Sequence, residues 1–368
     1  MRLTFIDALR LFAIIMMLQG HFVHLTLDTS TFDNSHWLYK TWLFGRGNTA
    51  PLFFTISGFI LTYILLQKNT ADLKKQFLKT LKRGLSLVAI GYLLRLHLGS
   101  LFSGNINQTF FQVDVLHCIG LTVIILSSLL VIMNNSRSTT LKATVFISLS
   151  CLTFMLDPIR TELLFSGNFK FFSNYITQSN GSVFTLFPWI GYAFFGAGLS
   201  ALWSIKNISQ HAKTGSLLIF GWLLLNSSAA FMWLHHITDL IIFKQVAYNN
   251  YLFIRLGYVL IIIAVFNGIT ANARLIKPLN LLSKKTLTIY VIHFALLYGS
   301  WFRFGIKQLF YKNLNPFWSS FGAVFFVLVS CGLCLTYIKT KPMIKQQYNI
   351  LKIMLLRRIV QRRITLSA

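Results

Sequence analysis

The sequence predicts an all-α polytopic membrane protein: a bundle of about ten transmembrane helices with both termini on the cytoplasmic side. Three observations predict it. Hydrophobic residues make up 55% of the 368 and charged residues only 11%, less than half of the roughly 25% charge found in soluble domains. The apolar residues gather into ten stretches, each near the roughly 20 residues that cross a bilayer. The basic residues alternate in density from one loop to the next.

The stretches run over residues 4–25, 49–67, 84–101, 114–133, 141–157, 184–204, 216–236, 250–269, 279–300 and 317–338. With the N-terminus inside, one set of loops carries Arg2, six basic residues from Lys68 to Arg83, Arg137 and Lys142, Lys206 and Lys213, four from Arg274 to Lys285 and eight in the tail, 23 of the 34 basic residues. The other set carries Lys40, Arg46, Arg160, Lys170, Lys244, Arg303, Lys307 and Lys312, leaving Arg10, Arg95 and Arg255 within the stretches. The positive-inside rule places the richer set in the cytoplasm and makes the number of spans even. The same loop placement argues against a nucleic-acid partner, which a net charge of +26 would otherwise raise. The fifth stretch is the least regular, interrupted by Asp157 and Pro158.

The first stretch reads as a retained span rather than a cleaved signal peptide, because Asp7 and Arg10 stand where an apolar h-region is uniform. Residues 1–338 form the membrane domain. From Lys339 to residue 368, Ile344, Tyr348, Leu351, Leu355 and Ile359 recur at helical spacing among basic residues, the pattern of a basic amphipathic cytoplasmic tail attracted to anionic lipid. Cys118, Cys151, Cys331 and Cys334 fall within spans and read as packing residues rather than disulfides or a zinc site.

Ionisable groups in spans carry the functional information, because each costs at least about 2.5–3.5 kcal/mol at a helix centre unless it faces protein, water or a partner. In "RLTFIDALRLFAIIMMLQGHFVHL", Asp7 and Arg10 share a helix face, as a local ion pair or as part of a site. His21 follows Asp7 by fourteen residues, about 21 Å along a helix, and so belongs to the outer half of the membrane. A packing role and a catalytic role are both open to it. His21, His24, Asp28 and His36 also allow a metal site by spacing, which the lack of further carboxylates disfavours, so no metal is assigned. Asp114 and His117 begin the fourth span, Arg95 and Arg255 lie in others, and charges of opposite sign there are expected to pair. Tyr290 and His293 place another histidine in the outer half.

Six blocks taken together resemble a known family: "RLTFIDALRLFAIIMMLQGH", "NTAPLFFTISGFILTYIL", "RGLSLVAIGYLLRL", "DVLHCIGLTVIIL", "LFPWIGYAFFGAGLS" and "LLSKKTLTIYVIHFALLYGS". In this order they resemble the heparan-alpha-glucosaminide N-acetyltransferase catalytic-domain family, over roughly residues 1–300. Leu11 stands where family members commonly have Gly after the first-helix Arg. The resemblance implies transfer of an acetyl or other short acyl group from cytosolic acyl-CoA to a hydroxyl or amine of a glycan or amino sugar beyond the membrane. Acyl-CoA is then a co-substrate, with no tightly bound cofactor. His21 carries the catalytic role on the bacterial-type pattern, with His36 in the following loop as competitor. Asp7, Asp114 and His293 are further candidates, and Asn48 is a candidate oxyanion donor. Arg10, Lys82, Arg83 and Arg95 are candidates for the CoA phosphates. The compact loops and the lack of a transit or signal segment lead us to expect a bacterial cytoplasmic membrane, with membrane lipid around the protein and self-association left open. From the residues alone, a secondary transporter using His and Asp as proton relays is the alternative, disfavoured by the lack of an evident internal repeat.

Overall fold

The computed structural model describes residues 3–30, 36–68, 70–135, 138–161, 170–178, 181–205, 208–270 and 277–367. They form an all-helical bundle with no strand among the described residues. The first half contains α1 (Thr4–Thr26), α2 (Trp37–Gly47), α3 (Thr49–Leu66), α4 (Thr70–Arg95), α5 (Leu98–Phe102), α6 (Val115–Ile132), α7 (Thr139–Met155), α8 (Asp157–Thr161) and α9 (Lys170–Ile176). The second contains α10 (Leu186–Trp203), α11 (Gln210–Leu225), α12 (Ser227–Thr238), α13 (Ile241–Tyr248), α14 (Tyr251–Thr270), α15 (Lys277–Ser283), α16 (Thr286–Tyr298), α17 (Ile306–Phe310) and α18 (Pro316–Ser367).

Each of the ten expected stretches is built from helix, and among the described residues six helices are long and apolar enough to cross a membrane, with a seventh if a bent pair is one span. That bent pair corrects the expected continuous span 216–236: α11 and α12 meet at 57°. Asn226 sits at the break, its side-chain amide donating to the Trp222 carbonyl at 2.9 Å, a local bond that competes with helix continuation. The fifth stretch ends at Met155, and α8 begins anew at Asp157. α18 runs unbroken from the last expected span through Pro342 into the tail, so no change of element marks residue 339.

α1 is the central post. Apolar residues lie on nearly every side of it, which is the pattern of a helix surrounded by others. Near its start, Phe5, Leu9 and Ala13 pack with Leu52 and Phe59 of α3 and Leu260 of α14. Further along, Ile14, Leu18 and Phe22 pack with Ile289 and Leu297 of α16 and Phe326 of α18. The far end is tied by backbone bonds. The Lys312 N–H donates to the Leu25 carbonyl at 3.0 Å, the Leu314 N–H to Thr26 at 2.9 Å, and the Asp28 N–H to Leu314 at 2.8 Å.

α4 and α6 cross unusually closely. A Cβ on Gly84 would lie 2.7 Å from the Gly120 carbonyl oxygen, and one on Gly120 would lie 2.6 Å from the Gly84 carbonyl oxygen. Small residues at such crossings let two backbones meet where no water is present to drive association. The contact fixes where α4 ends and α6 begins, and both of those ends carry charged residues.

Candidate active site

His21 lines a cavity of about 640 Å³ at the end of the bundle where α1 finishes. Its other walls come from the end of α4, the segment before α6, the last two turns of α16 and the loop from Ser300 to Gln308. α16 presents Tyr290, His293 and Tyr298 to it. The His21 and His293 rings face each other with centroids 5.5 Å apart, inclined by 46°. His293 is only 1% exposed, and its Nδ1 has no hydrogen-bond partner among the described residues. Tyr290 lies edge-on to His293 at 4.7 Å.

Asp114 organises the wall beside them. It is the N-cap of α6: its Oδ1 accepts the Val115 N–H at 2.6 Å, and its own N–H is accepted by His117 Nδ1 at 3.1 Å. This reciprocal cap holds two backbone donors that a helix start leaves without partners. The other oxygen, Oδ2, accepts the Arg95 guanidinium at 3.3 Å and the Tyr290 hydroxyl at 3.3 Å. Arg95 also donates to the Gln112 side chain at 3.1 Å and to the Thr109 carbonyl at 3.3 Å. One carboxylate thus joins α4, α6 and α16. A half-buried charge is tolerated when it is paired and hydrogen-bonded in this way.

Two straps complete the walls. The Ser182 hydroxyl accepts the Val113 N–H at 3.0 Å and Cys118 Sγ donates to the Thr185 carbonyl at 3.3 Å, holding Val183 and Phe184 against the cavity. On the other side, Trp301 Nε1 donates to the Leu93 carbonyl at 2.7 Å and the Ser300 hydroxyl to Leu94 at 3.0 Å. The chain turns into this strap at Gly299, whose backbone is left-handed at φ 71° and pressed against the Phe304 backbone.

Of the residues singled out in the sequence, the structure brings His21, Asp114, His293 and Arg95 to one cavity. Arg95 stands twelve residues beyond Arg83, about 18 Å along α4, so it belongs with Asp114 and not with the rim of Lys82 and Arg83. Those two are exposed midway along α4. Asp7 is buried near the start of α1, with the Ser283 hydroxyl 3.5 Å from its Oδ1, and Arg10 is half-buried one turn on.

His36 is elsewhere. It is exposed, caps α2 by accepting the Leu38 N–H at 3.3 Å, and borders a separate apolar groove between α1, α2 and α18. Asn48 joins α2 to α3 outside the cavity, its amide donating to the Phe44 carbonyl at 3.0 Å, so its expected place beside a developing oxyanion has no geometric support. Arg255 lies over the ring of Tyr251, 5.3 Å from its centroid. Among the described residues no group of three His, Cys, Asp or Glu side chains is arranged to hold a metal ion.

Sequence reasoning missed Gln112, Tyr298, Arg303 and Lys307 as cavity residues. A signal existed for the last two, since both belong to the small set of cations on the poorer side of the charge alternation. What the assembled groups can do is plain chemistry. An imidazole facing a polar, partly enclosed space can accept a proton from a bound hydroxyl or amine, and the carboxylate, arginine and tyrosine beside it hold the wall in place.

A family model described as heparan-alpha-glucosaminide N-acetyltransferase, catalytic, matches residues 2–238. No curated protein and no solved structure matches the chain significantly. The match contains His21, Arg95 and Asp114, whereas the late block "LLSKKTLTIYVIHFALLYGS" lies beyond it. His293 therefore joins the site through geometry. With that match covering well over half of its length, the chain belongs to the heparan-alpha-glucosaminide N-acetyltransferase catalytic family, a family of membrane transferases.

Proposed function

We propose that the protein transfers an acetyl or other short acyl group from cytosolic acyl-CoA to a hydroxyl or amine of a sugar or glycan on the outer side of a bacterial cytoplasmic membrane. It does so as a bundle of ten spans with both termini inside. The observation that carries the reading is the placement of His21 and His293 on one polar cavity at the end of α1 opposite Asp7 and Arg10. The charge alternation makes that end the outer one.

In this reading His21 is the general base. As the acceptor oxygen or nitrogen attacks the thioester carbonyl, the imidazole takes the proton it loses. The carbon–sulfur bond then breaks, and the departing thiolate is protonated by the imidazolium, leaving acylated acceptor, free CoA and neutral His21. Direct transfer needs one place that both substrates reach, and an acyl-histidine intermediate is not required. His293 and the Asp114–Arg95–Tyr290 group hold the wall against which His21 works. The exposed Lys82 and Arg83, with Arg10, are the groups suited to the CoA phosphates at the cytoplasmic rim. The pantetheine arm reaches from there between the helices toward His21.

The test is transfer of label from acetyl-CoA into glycan and lipid of membranes that contain the protein. Label appearing only with the protein supports the reading. Folded protein that neither binds acetyl-CoA nor moves label refutes it and returns the proton-relay transporter. Cysteines introduced singly at positions 68 and 303 and probed with an impermeant thiol reagent check the orientation, with position 303 reacting in intact cells and position 68 only after lysis.

A further inference from the structure

The mouth of the cavity carries positive charge that no acid among the described residues balances. Its formally charged lining residues are Arg95, Arg303, Lys307 and Asp114. Asp114 is committed to Arg95 at 3.3 Å. Arg303 and Lys307 are exposed at the rim, and neither has an acidic partner within 4.0 Å among the described residues. Arg303 donates to the Thr109 hydroxyl at 3.4 Å, and the Lys307 ammonium lies 5.7 Å from the ring centroid of Tyr311. Both cations therefore keep most of their hydrogen-bonding capacity turned to whatever enters.

Their place is fixed by the fold. Arg303 has a left-handed backbone at φ 53°, a conformation that side-chain-bearing residues seldom adopt. It stands in the tight strap between Gly299 and Gly305, where its own N–H donates to the Ser300 carbonyl at 3.3 Å and the Gly305 N–H donates to the Gln308 side chain at 2.9 Å. Strained positions persist where the surroundings hold them, and they gather at binding sites. Neutral polar groups of Asn107, Thr109 and Gln112 line the same mouth and suit the hydroxyls of a sugar.

The charge pattern of the whole chain sharpens the point. Only eight of the 34 basic residues lie on the side assigned to the outside, where positive charge is generally sparse. Two of those eight stand at the cavity mouth. We infer that the mouth binds the negative group of an anionic acceptor, a carboxylate or a phosphate carried on the sugar that receives the acyl group, with Arg303 and Lys307 as its ligands. As an assignment to the acceptor this rests on the transferase reading and its orientation. As an anion site it stands on the geometry alone.

The experiment measures binding of glucose, glucuronate and glucose 6-phosphate to purified protein in nanodiscs of zwitterionic lipid, by calorimetry, with acetyl-CoA titrated separately. Glucuronate or glucose 6-phosphate is expected to bind at least tenfold more tightly than glucose, with a preference that weakens as salt rises. In the Arg303→Gln, Lys307→Gln double variant the preference disappears, while acetyl-CoA still binds as to the wild type and shows that the fold is intact. Whichever anionic sugar binds more tightly tells carboxylate from phosphate. Equal binding of the three sugars, binding of none of them, or a preference that survives in the double variant overturns the inference. Loss of acetyl-CoA binding in that variant overturns it too, by giving the two cations to the CoA phosphates. Label transfer measured alongside separates the two claims: a charge preference without transfer removes the transferase reading and leaves the anion site, and transfer without a charge preference does the reverse.

Discussion

His21 of α1 and His293 of α16 meet across the cavity with ring centroids 5.5 Å apart, although 272 residues separate them in the chain. His21 comes from a helix packed on several sides and His293 from a short helix packed against it. Removing the second ring leaves the first without its neighbour. His293→Ala is expected to lower the initial rate of label transfer roughly 10²-fold, the scale on which small displacements of a reacting group act. Acetyl-CoA binding measured in parallel stays at the wild-type level.

The Asp114 carboxylate holds Arg95 and Tyr290 at once. Asp114→Asn removes the charge that Arg95 is paired with, and a partly buried cation is then left uncompensated. A loss of about 2–3 kcal/mol is expected, read as a fall in the midpoint of thermal unfolding in detergent. Adding Arg95→Met to Asp114→Asn recovers part of the loss, and strictly additive effects of the two changes would show that the pair is not coupled.

The α4–α6 crossing offers a sharper structural check. A methyl group on Gly120 would press on the Gly84 carbonyl and on Val88, 2.6 Å and 2.9 Å away. Gly120→Ala therefore forces the helices apart at a cost of about 1–3 kcal/mol. Gly215 of α11 has nothing within 4 Å of its missing side chain, so Gly215→Ala is expected to leave the unfolding midpoint unchanged or slightly raised.

Away from the cavity, Arg160 donates to Asp157 Oδ1 at 2.8 Å and 2.7 Å, and the Tyr251 hydroxyl donates to Oδ2 at 3.0 Å. Both charged side chains are buried. Asp157→Ala is expected to destabilise by about 3–5 kcal/mol, the cost of leaving one member of a buried pair alone. Protein that still folds transfers label at the wild-type rate, because this network does not reach the cavity.

Much of this architecture was legible before the structure. The apolar stretches located the helices because a bilayer demands a run of fixed length, and the unusual residues of the first stretch named His21. Pairing was not legible. Arg95 had two expected roles, with a buried acid and with the CoA phosphates, and only the close α4–α6 crossing and the Asp114 cap decide for the first. His36 matched His21 in residue type and neighbourhood, and its exclusion comes from a helix start that turns it away from the cavity. The break at Asn226 was not legible either, since a side-chain bond to the carbonyl one turn back also occurs at Thr55 within the unbroken α3. Arg303 and Lys307 were visible as outer cations, but the strap that brings them over the cavity is held by the long-range bonds of Ser300 and Trp301 to the Leu94 and Leu93 carbonyls of α4.

Label transfer from acetyl-CoA by wild type, His21→Ala and His36→Ala protein, each shown to insert and to bind acetyl-CoA, decides which histidine serves as the base. The expected result is a rate 10²- to 10⁴-fold below wild type for His21→Ala, the range of a lost general base, with His36→Ala close to wild type. Transfer that survives in His21→Ala and is lost in His36→Ala would move the chemistry to the loop after α1 and contradict the assignment of the cavity.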